Sequence, residues 1–302
     1  MKKRSVSNSP RLTELRRKRR RHFHRNAFFV LTGLFIVVTG ITLLSRLPKF
    51  NISTIAVAGN TVIETDDIKA VVQADLAGHY LWVFPKTNFL LYPKHTIETD
   101  LAERFKRAKD ISVNTKLLKI LDVKLFEREA LYTWCGDEPS TTVEQCYFMD
   151  DTGYIFDKAP YFSGNVYFKF YGHPSGSTDQ PLGTYYMSDS LGRLLAFRDT
   201  LKSLGIKIAS LEVDDGQEGA FYLSTAAARP DAPKILFKTD GDFNKMAENL
   251  QTALATEPLK SDFAKKYALL SYVDLRFGNK VYYKFSASGN PPPGEPASDA
   301  TN

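Results

Sequence analysis

An uncharged apolar run near the N-terminus limits what this chain can fold into more than any other feature. Residues 27–44 have the sequence AFFVLTGLFIVVTGITLL, which contains no charged side chain. The hydrocarbon core of a bilayer is ~30 Å thick, and a helix of roughly 20 apolar residues is needed to cross it. A buried core helix of similar length usually keeps a polar stripe. We therefore predict a transmembrane helix over residues 27–45 rather than a core helix.

A cleaved signal peptide is a second alternative for this run. Its cleavage requires small residues in an A-x-A pattern shortly after the apolar segment. The pattern Ala56–Ala58 lies beyond Arg46 and Pro48 and inside a predicted strand. We therefore predict that the segment stays attached as a membrane anchor.

The charges on the two sides of the run predict its orientation. Residues 1–25 carry eleven Lys or Arg and one acid, whereas Arg46 and Lys49 are the only charges that directly follow the run. The positive-inside rule predicts that the basic tail, residues 1–26, is cytoplasmic and that the rest lies outside. This tail also explains the net charge of +6, since the remaining chain has 29 basic and 33 acidic residues. A basic run beside a span is typical of a topology signal that contacts anionic lipid, so nucleic acid is not an expected partner.

Two cysteines, Cys135 and Cys146, flank the polar loop GDEPSTTVEQ between two predicted strands. In an oxidising compartment they are candidates for a disulfide that closes a hairpin and contributes about 2–3 kcal/mol. The alternative is a pair of free, buried thiols. A zinc site is not expected, because two cysteines without nearby histidine or further cysteine cannot complete a tetrahedral set of ligands.

The region that follows the span, residues 50–127, combines strand and helix patterns. Alternating apolar residues predict strands at FNISTIAVAG, DISVNT and LLKILDVKLFERE. Apolar residues at helical spacing predict helices within TVIETDDIKAVVQADLAG, capped by Thr65 or Asp66 and ended by Gly78, and at TIETDLAERFKRA, separated by an aromatic loop. The predicted order is strand, helix, helix, strand, strand.

Short strands dominate the next region, residues 128–285. Two helices are predicted within it, at DSLGRLLAFRDTLKSLG and DFNKMAENLQTALA. This composition indicates a mainly antiparallel sheet with helices packed on it. The sequence therefore predicts an α+β fold behind a single N-terminal transmembrane helix.

Short patterns along residues 27–285 point to a known family. They are the opening strand and turn Ile52–Asn60, Pro93, the pair Glu127–Arg128, the aromatic hairpin Tyr147–Phe156 and the closing hairpin Tyr272–Tyr283. With the element order directly after one span, residues 50–127 resemble a POTRA domain. The whole chain resembles the FtsQ/DivIB family of bacterial division proteins.

Three segments lie outside this pattern. Residues 161–186 contain several Gly and Pro and are predicted to be an insertion. The basic tail shows no sustained apolar periodicity. Residues 286–302 contain three consecutive prolines and no large apolar side chain. We predict that both termini are disordered.

Signs of enzyme chemistry are missing from the sequence. The histidines that follow the span, His79, His95 and His173, do not have metal-ligand spacing, and no nucleophile, zinc-protease or phosphate-loop motif occurs. Asp150 and Asp151, between two aromatic strands, are typical of a turn rather than of a catalytic pair. We therefore expect no catalysis, no cofactor, no metal site and no small-molecule substrate.

The closing hairpin is the candidate binding site. Gly278 and Asn279 predict a tight turn, and the last strand, KVYYKF, is predicted to lie at a sheet edge. Unpaired backbone groups at such an edge can add a strand from a partner. The alternative is a central strand whose side chains belong to the core. The predicted partner-binding residues are Arg276 as a charged anchor, with Val281, Tyr282, Tyr283 and Phe285 as apolar contacts.

The resemblance implies a non-catalytic, single-span division protein that helps control septal wall synthesis. It implies partners of the FtsB/FtsL type, which are small single-span coiled-coil division proteins. It also implies a place in the inner membrane at the septum, with the N-terminus in the cytoplasm and the bulk outside. An anchored POTRA-type chaperone or secretion component is the alternative. A wall hydrolase or transferase would require the motifs that are missing.

Overall fold

The computed structural model describes residues 10–140, 144–162, 164, 166–175, 180–214, 217–224, 233–266 and 269–286. The chain divides into two units, Met1–Glu127 and Arg128–Asn302, and each is described by itself. The predicted C-terminal tail lies outside the described residues, apart from Ser286.

A single long helix, α1 (Pro10–Ser45), begins the first unit. Its segment His22–Ser45 is long and apolar enough to cross a membrane, and none of its most apolar stretch is buried inside the protein. This exposure excludes a core helix. The predicted disorder of the basic tail is wrong over residues 10–26, which are helical. Leu, Arg and Lys favour helix, and no breaker separates them from the span, so the helix extends at little cost.

The rest of the first unit has the predicted order of elements. They are a 3₁₀ turn (Pro48–Phe50), β1 (Thr54–Ala58), α2 (Thr65–Leu76), β2 (His79–Tyr80), β3 (Phe84–Pro85), α3 (Lys94–Arg104), β4 (Ala108–Lys116) and β5 (Ile120–Glu127). The main sheet has the order β1–β5–β4, with β1 parallel and β4 antiparallel to β5. The short hairpin β2–β3 was not predicted and lies within the aromatic loop.

The core of this unit lies between the two helices and the sheet. The helices contribute residues at steps of four, as their patterns predict: Ile68, Val72 and Leu76 from α2, Ile97 and Leu101 from α3. The sheet contributes alternating residues of β5 and one of β4, namely Leu121, Val123, Leu125 and Val113. The first unit therefore has a main sheet of three strands with two helices packed against it.

The turn after β1 is held by the far end of β5. The Glu127 carboxylate accepts hydrogen bonds from the backbone N–H groups of Thr61 at 2.6 Å, Val62 at 2.9 Å and Ile63 at 3.0 Å. Burial raises the pKa of Glu127, but these donors outweigh it and hold the pKa below its ordinary value. Glu127 therefore links the C-terminal end of β5 to the turn after β1.

The second unit contains nine strands and three helices within the described residues. They are β6 (Tyr132–Trp134), β7 (Tyr147–Met149), β8 (Ile155–Lys158), β9 (Phe168–Tyr171), α4 (Leu191–Ser203), β10 (Ile208–Val213), β11 (Glu218–Leu223), β12 (Lys234–Lys238), α5 (Phe243–Ala255), α6 (Leu259–Lys266), β13 (Leu270–Phe277) and β14 (Lys280–Phe285). One sheet takes all nine strands, in the order β14–β13–β12–β11–β10–β9–β6–β7–β8. Three of its strand pairs are parallel (β6–β9, β9–β10 and β12–β13), so the sheet is mixed but mainly antiparallel. The predicted α+β fold class is confirmed.

The predicted insertion, residues 161–186, is in part a central element of this sheet. Its strand β9 lies between β10 and β6. Tyr186 is fully buried, and its hydroxyl donates to the Tyr171 carbonyl at 2.7 Å. The Gly and Pro residues indicated an insertion, while the pattern NVYFKFYG within it predicted a strand, and its residues FKFY form β9.

Candidate functional site

The closing hairpin lies at one edge of the nine-stranded sheet. Its outer strand, β14, pairs with β13 along one side, and no strand among the described residues pairs with the other. Gly278 adopts a left-handed φ of 64° in the two-residue turn, where glycine is favoured. The Asn249 side-chain amide of α5 donates to the Gly278 carbonyl at 3.0 Å. The turn of the closing hairpin is therefore held against helix α5.

The side chains of β14 alternate between two faces. Val281, Tyr283 and Phe285 are half-buried and pack against the main core of the unit. Tyr282 points the other way, is exposed, and has its ring 5.3 Å from that of Phe277. The predicted contact residues therefore lie on both faces of the strand. Phe277 was not predicted as a contact residue. Its position beside the turn, opposite the strand KVYYKF, could have indicated that role.

The backbone of β14 provides the surface that a partner strand would need. The N–H of Ser286, the residue after β14, donates to the carbonyl of Leu269, the residue before β13, at 2.7 Å. The peptide groups of Ser286 therefore face β13. Backbone direction alternates along a strand, so the peptide groups of Val281, Tyr283 and Phe285 point away from β13. These three residues combine outward N–H and C=O groups with side chains that hold the strand on the core.

Arg276 is engaged within the sheet rather than projecting from it. Its Nε donates to Asp274 Oδ1 at 2.9 Å, its Nη2 donates to Asp274 Oδ2 at 2.6 Å, and its Nη1 donates to Glu218 of β11. The hydrogen bonds to Asp274, helped by Glu218, raise the pKa of Arg276 above its ordinary value. The bidentate pairing with Asp274 lies within β13, and the contact with Glu218 ties β13 to β11. Arg276 therefore supports the hairpin in this structure, and a role as a free anchor would require it to exchange partners.

The two cysteines are joined by a disulfide, Cys135–Cys146, next to the antiparallel pair β6–β7. Glu144 lies close to both sulfur atoms, in a group whose residue types could hold a metal ion. The sulfur atoms are bonded to each other, however, and the Glu144 carboxylate accepts from Lys169 at 2.8 Å and from the Tyr171 hydroxyl. This group of residues is a covalent and ionic link in the sheet rather than a set of metal ligands.

The carboxylate pair Asp150–Asp151 forms the turn that its sequence predicts. Asp150 is buried and accepts from the Arg128 guanidinium at 2.6 Å, from the Thr152 hydroxyl at 2.6 Å and from the Tyr154 N–H at 3.1 Å. Asp151 is exposed. The contacts with Thr152 and Tyr154 form the turn, and the ion pair with Arg128 joins the turn to the start of the second unit.

Comparison with known proteins gives one informative likeness. No family model matches the chain. The chain is 25% identical over 245 residues to the cell division protein DivIB of Clostridium acetobutylicum. The aligned region covers 80% of this chain and 86% of that relative, so it extends over parts of both units.

Proposed function

Because the chain is similar to the cell division protein DivIB over 80% of its length, we propose that it is a distant member of the FtsQ/DivIB family and a non-catalytic component of the division machinery. It binds other division proteins through the second unit and helps control septal wall synthesis. Its partners are small single-span coiled-coil proteins of the FtsB/FtsL type. The relative supports the division role, and the edge strand β14 carries the binding mode.

The mode of binding is the addition of a partner's strand to β14. The outward peptide groups of Val281, Tyr283 and Phe285 give the incoming strand its main-chain hydrogen bonds, which supply affinity. The exposed pair Tyr282 and Phe277 gives it an aromatic contact, of the kind that dominates binding energy at interfaces. Binding would also cover an edge that otherwise favours aggregation.

The orientation proposed here has the N-terminus in the cytoplasm and both folded units outside. The eleven basic residues before the span support it, since basic segments remain on the cytoplasmic side. The disulfide in the second unit supports it independently, since disulfides persist in oxidising compartments. The division septum is the proposed location.

Two substitutions at Val281 separate backbone binding from side-chain packing. Val281→Pro removes an outward N–H while leaving the hydrogen bonds to β13, and proline is tolerated at such a position of an edge strand. Val281→Ala removes more of the side chain but keeps the N–H. We expect Val281→Pro to abolish copurification of an FtsB/FtsL-type partner with the full chain, and Val281→Ala to retain most of it.

Circular dichroism of the purified variants serves as the folding control for this comparison. Equal partner capture by Val281→Pro and wild type would refute strand addition at β14. Loss in both variants would place the binding energy in the side chain. Tyr283→Lys is a poorer test, because Tyr283 packs on the core and a lysine there would also loosen the fold.

A further inference from the structure

The aromatic loop of the first unit, residues 79–92, is tied to the end of the membrane helix. The Arg46 guanidinium Nε donates to the Val83 carbonyl at 3.3 Å. The Asn88 side-chain amide donates to the Ser45 carbonyl, in the last turn of α1, at 3.2 Å. These bonds hold the loop where the chain leaves the span.

A second segment, residues 116–120, lies at the same end of the unit. It is the turn between β4 and β5, and the Ser53 N–H donates to its Lys119 carbonyl at 2.9 Å. The neighbouring Ile52 N–H donates to Thr87 of the aromatic loop at 2.8 Å. We call the three segments 45–51, 79–92 and 116–120 the membrane-proximal rim.

Both hairpins of the rim place large apolar residues in a turn that does not favour them. In each turn two central residues have positive φ and the flanking residues are joined by a backbone hydrogen bond, which defines a type I′ turn. Asn and Gly are the usual residues there, because β-carbons are strained at positive φ. This chain has Leu81–Trp82 in one turn and Leu117–Leu118 in the other. Folding alone would not select these residues, which indicates that they meet a binding requirement.

The side chains at these turns are among the most exposed apolar groups in the described part of the chain. Trp82 is 94% exposed, Leu117 85% and Leu81 81%. Leu90, in the same loop as Trp82, is 75% exposed. Apolar groups that cluster at one end of a unit mark a contact surface rather than normal surface scatter.

An apolar groove joins the rim to the span itself. It has a volume of about 440 Å³ and lies between Ile41 and Leu44 of α1 on one side and Phe84, Phe89 and Leu91 of the loop on the other. Ile41 and Leu44 belong to the segment that is long and apolar enough to cross a membrane. The groove therefore continues the lipid-facing surface of the span.

The charge of the rim is of one sign. Its three segments contain no Asp or Glu, and one of its cations, Lys116, is paired with Asp122 at 2.8 Å. The cations are Arg46, Lys49, Lys86, Lys116 and Lys119. Basic residues interleaved with exposed Trp and Leu are typical of surfaces that lie in the headgroup region of a bilayer.

We propose that the rim binds phospholipid of the leaflet at the C-terminal end of the span. Leu81, Trp82 and Leu117 enter the interface, the groove takes an acyl chain, and the cations contact anionic headgroups. The proposal depends on the membrane anchor described above and not on any protein partner. It gives the first unit a second attachment, which limits its rotation about the end of α1.

Tryptophan fluorescence of the full chain in phospholipid vesicles tests this proposal. The chain has two tryptophans, and Trp134 is buried with its indole N–H bonded to Gly172, so its emission is a constant background. The difference between wild type and Trp82→Phe reports Trp82 alone. With lipids brominated on the acyl chain, we expect loss of most of the Trp82 emission. Acrylamide in the aqueous phase should quench it little.

Phe126 provides a matched control position. It is exposed near the far end of β5, roughly 20 Å from the rim at 3.3 Å per residue. Phe126→Trp in the Trp82→Phe background should be quenched by acrylamide and not by brominated lipid. The proposal would be overturned if the tryptophans at positions 82 and 126 were quenched alike, either both by acrylamide or both by brominated lipid. Since no partner is present, failure here would leave the proposed division role untouched.

Lipid composition tests the role of the rim cations. Replacing part of the phosphatidylcholine by phosphatidylglycerol should increase the quenching of Trp82 by brominated lipid, and Lys49→Glu with Lys86→Glu should remove this increase. Quenching that does not depend on the anionic lipid would overturn the contact between the cations and the headgroups.

Discussion

Individual buried carboxylates hold the turns of this protein and set its response to acid. Asp150 is the clearest case in the second unit. Burial disfavours its charge, but the hydrogen bonds from Thr152, Arg128 and Tyr154 outweigh burial and hold its pKa below the ordinary value. The Arg128 guanidinium also stacks 4.0 Å from the Tyr154 ring. Removal of the Asp150 charge would leave this half-buried arginine without its carboxylate partner.

Asp150→Asn should destabilise the second unit by about 3 kcal/mol, since breaking a buried ion pair leaves one charge uncompensated. A carboxylate with a lowered folded pKa stabilises the fold above its unfolded pKa, near 3.8, and this stabilisation is lost as the pH falls further. The wild type should therefore lose stability below about pH 4 more steeply than the variant. Urea unfolding of the full chain in detergent, at several pH values, measures both effects.

The neighbouring Asp151 is the control for this prediction, because it is exposed in the same turn. Asp151→Asn should change the free energy of unfolding by no more than about 0.5 kcal/mol. Asp150 would not have the proposed structural role if Asp150→Asn changed the free energy of unfolding as little as Asp151→Asn does. The same conclusion would follow if both variants showed the pH dependence of the wild type.

Sequence patterns identified the turn at Asp150 but not its partner. The spacing of Asp and Gly between two aromatic strands is local information, and it predicted the turn correctly. The ion pair with Arg128 joins residues 22 positions apart and depends on the register of the sheet. The same limit applies to Arg276, whose partner Glu218 lies 58 residues away. Long-range pairing decides whether such an arginine is free to bind a partner.

At the scale of elements, the turn after β1 depends on a close backbone approach. Gly59 has a φ of 93°, and a Cβ built on it would lie 1.9 Å from the Leu125 carbonyl oxygen of β5. Only glycine fits between these strands at this point. Two residues beyond Leu125, Glu127 binds the N–H groups of the same turn. The two contacts together fix the start of the sheet.

Gly59→Ala should therefore destabilise the first unit by about 3 kcal/mol or more, because strain at positive φ and a backbone clash add together. Gly78→Ala separates the two causes, since Gly78 has a φ of 89° but open space around its Cβ position. We expect about 1 kcal/mol there, from strain alone. Thermal unfolding of the full chain in detergent gives both values, and equal losses would refute the clash.

The helices that the sequence predicted share a long apolar period, and the elements it missed are short. α2, α3, α4 and α5 each have buried residues at helical spacing over eleven or more residues. The missed helix α6 has eight residues, and β2 and β3 have two each, which is too few to show a period. None of the described side chains of the basic tail is buried. Its helix follows from propagation out of the span.

At the scale of the whole molecule, two folded units follow a single apolar helix that is long enough to cross a membrane, and the proposed role is that of a membrane-anchored division protein. The sequence predicted the anchor, the fold class and the closing hairpin from local patterns. It could not predict which way each β14 side chain points, because a one-residue shift of register exchanges the two faces. It also gave no sign of the rim, which forms only when residues 45–51, 79–92 and 116–120 come together.

The position of the protein in dividing cells tests the proposed function most directly. A fluorescent protein fused to the N-terminus of the full chain, followed through the cell cycle, should form a band at the division plane. Val281→Pro should disperse the partner of the FtsB/FtsL type from that band, and Val281→Ala should not. An even distribution of the wild-type fusion around the envelope would contradict a role in division and favour an anchored chaperone or secretion component.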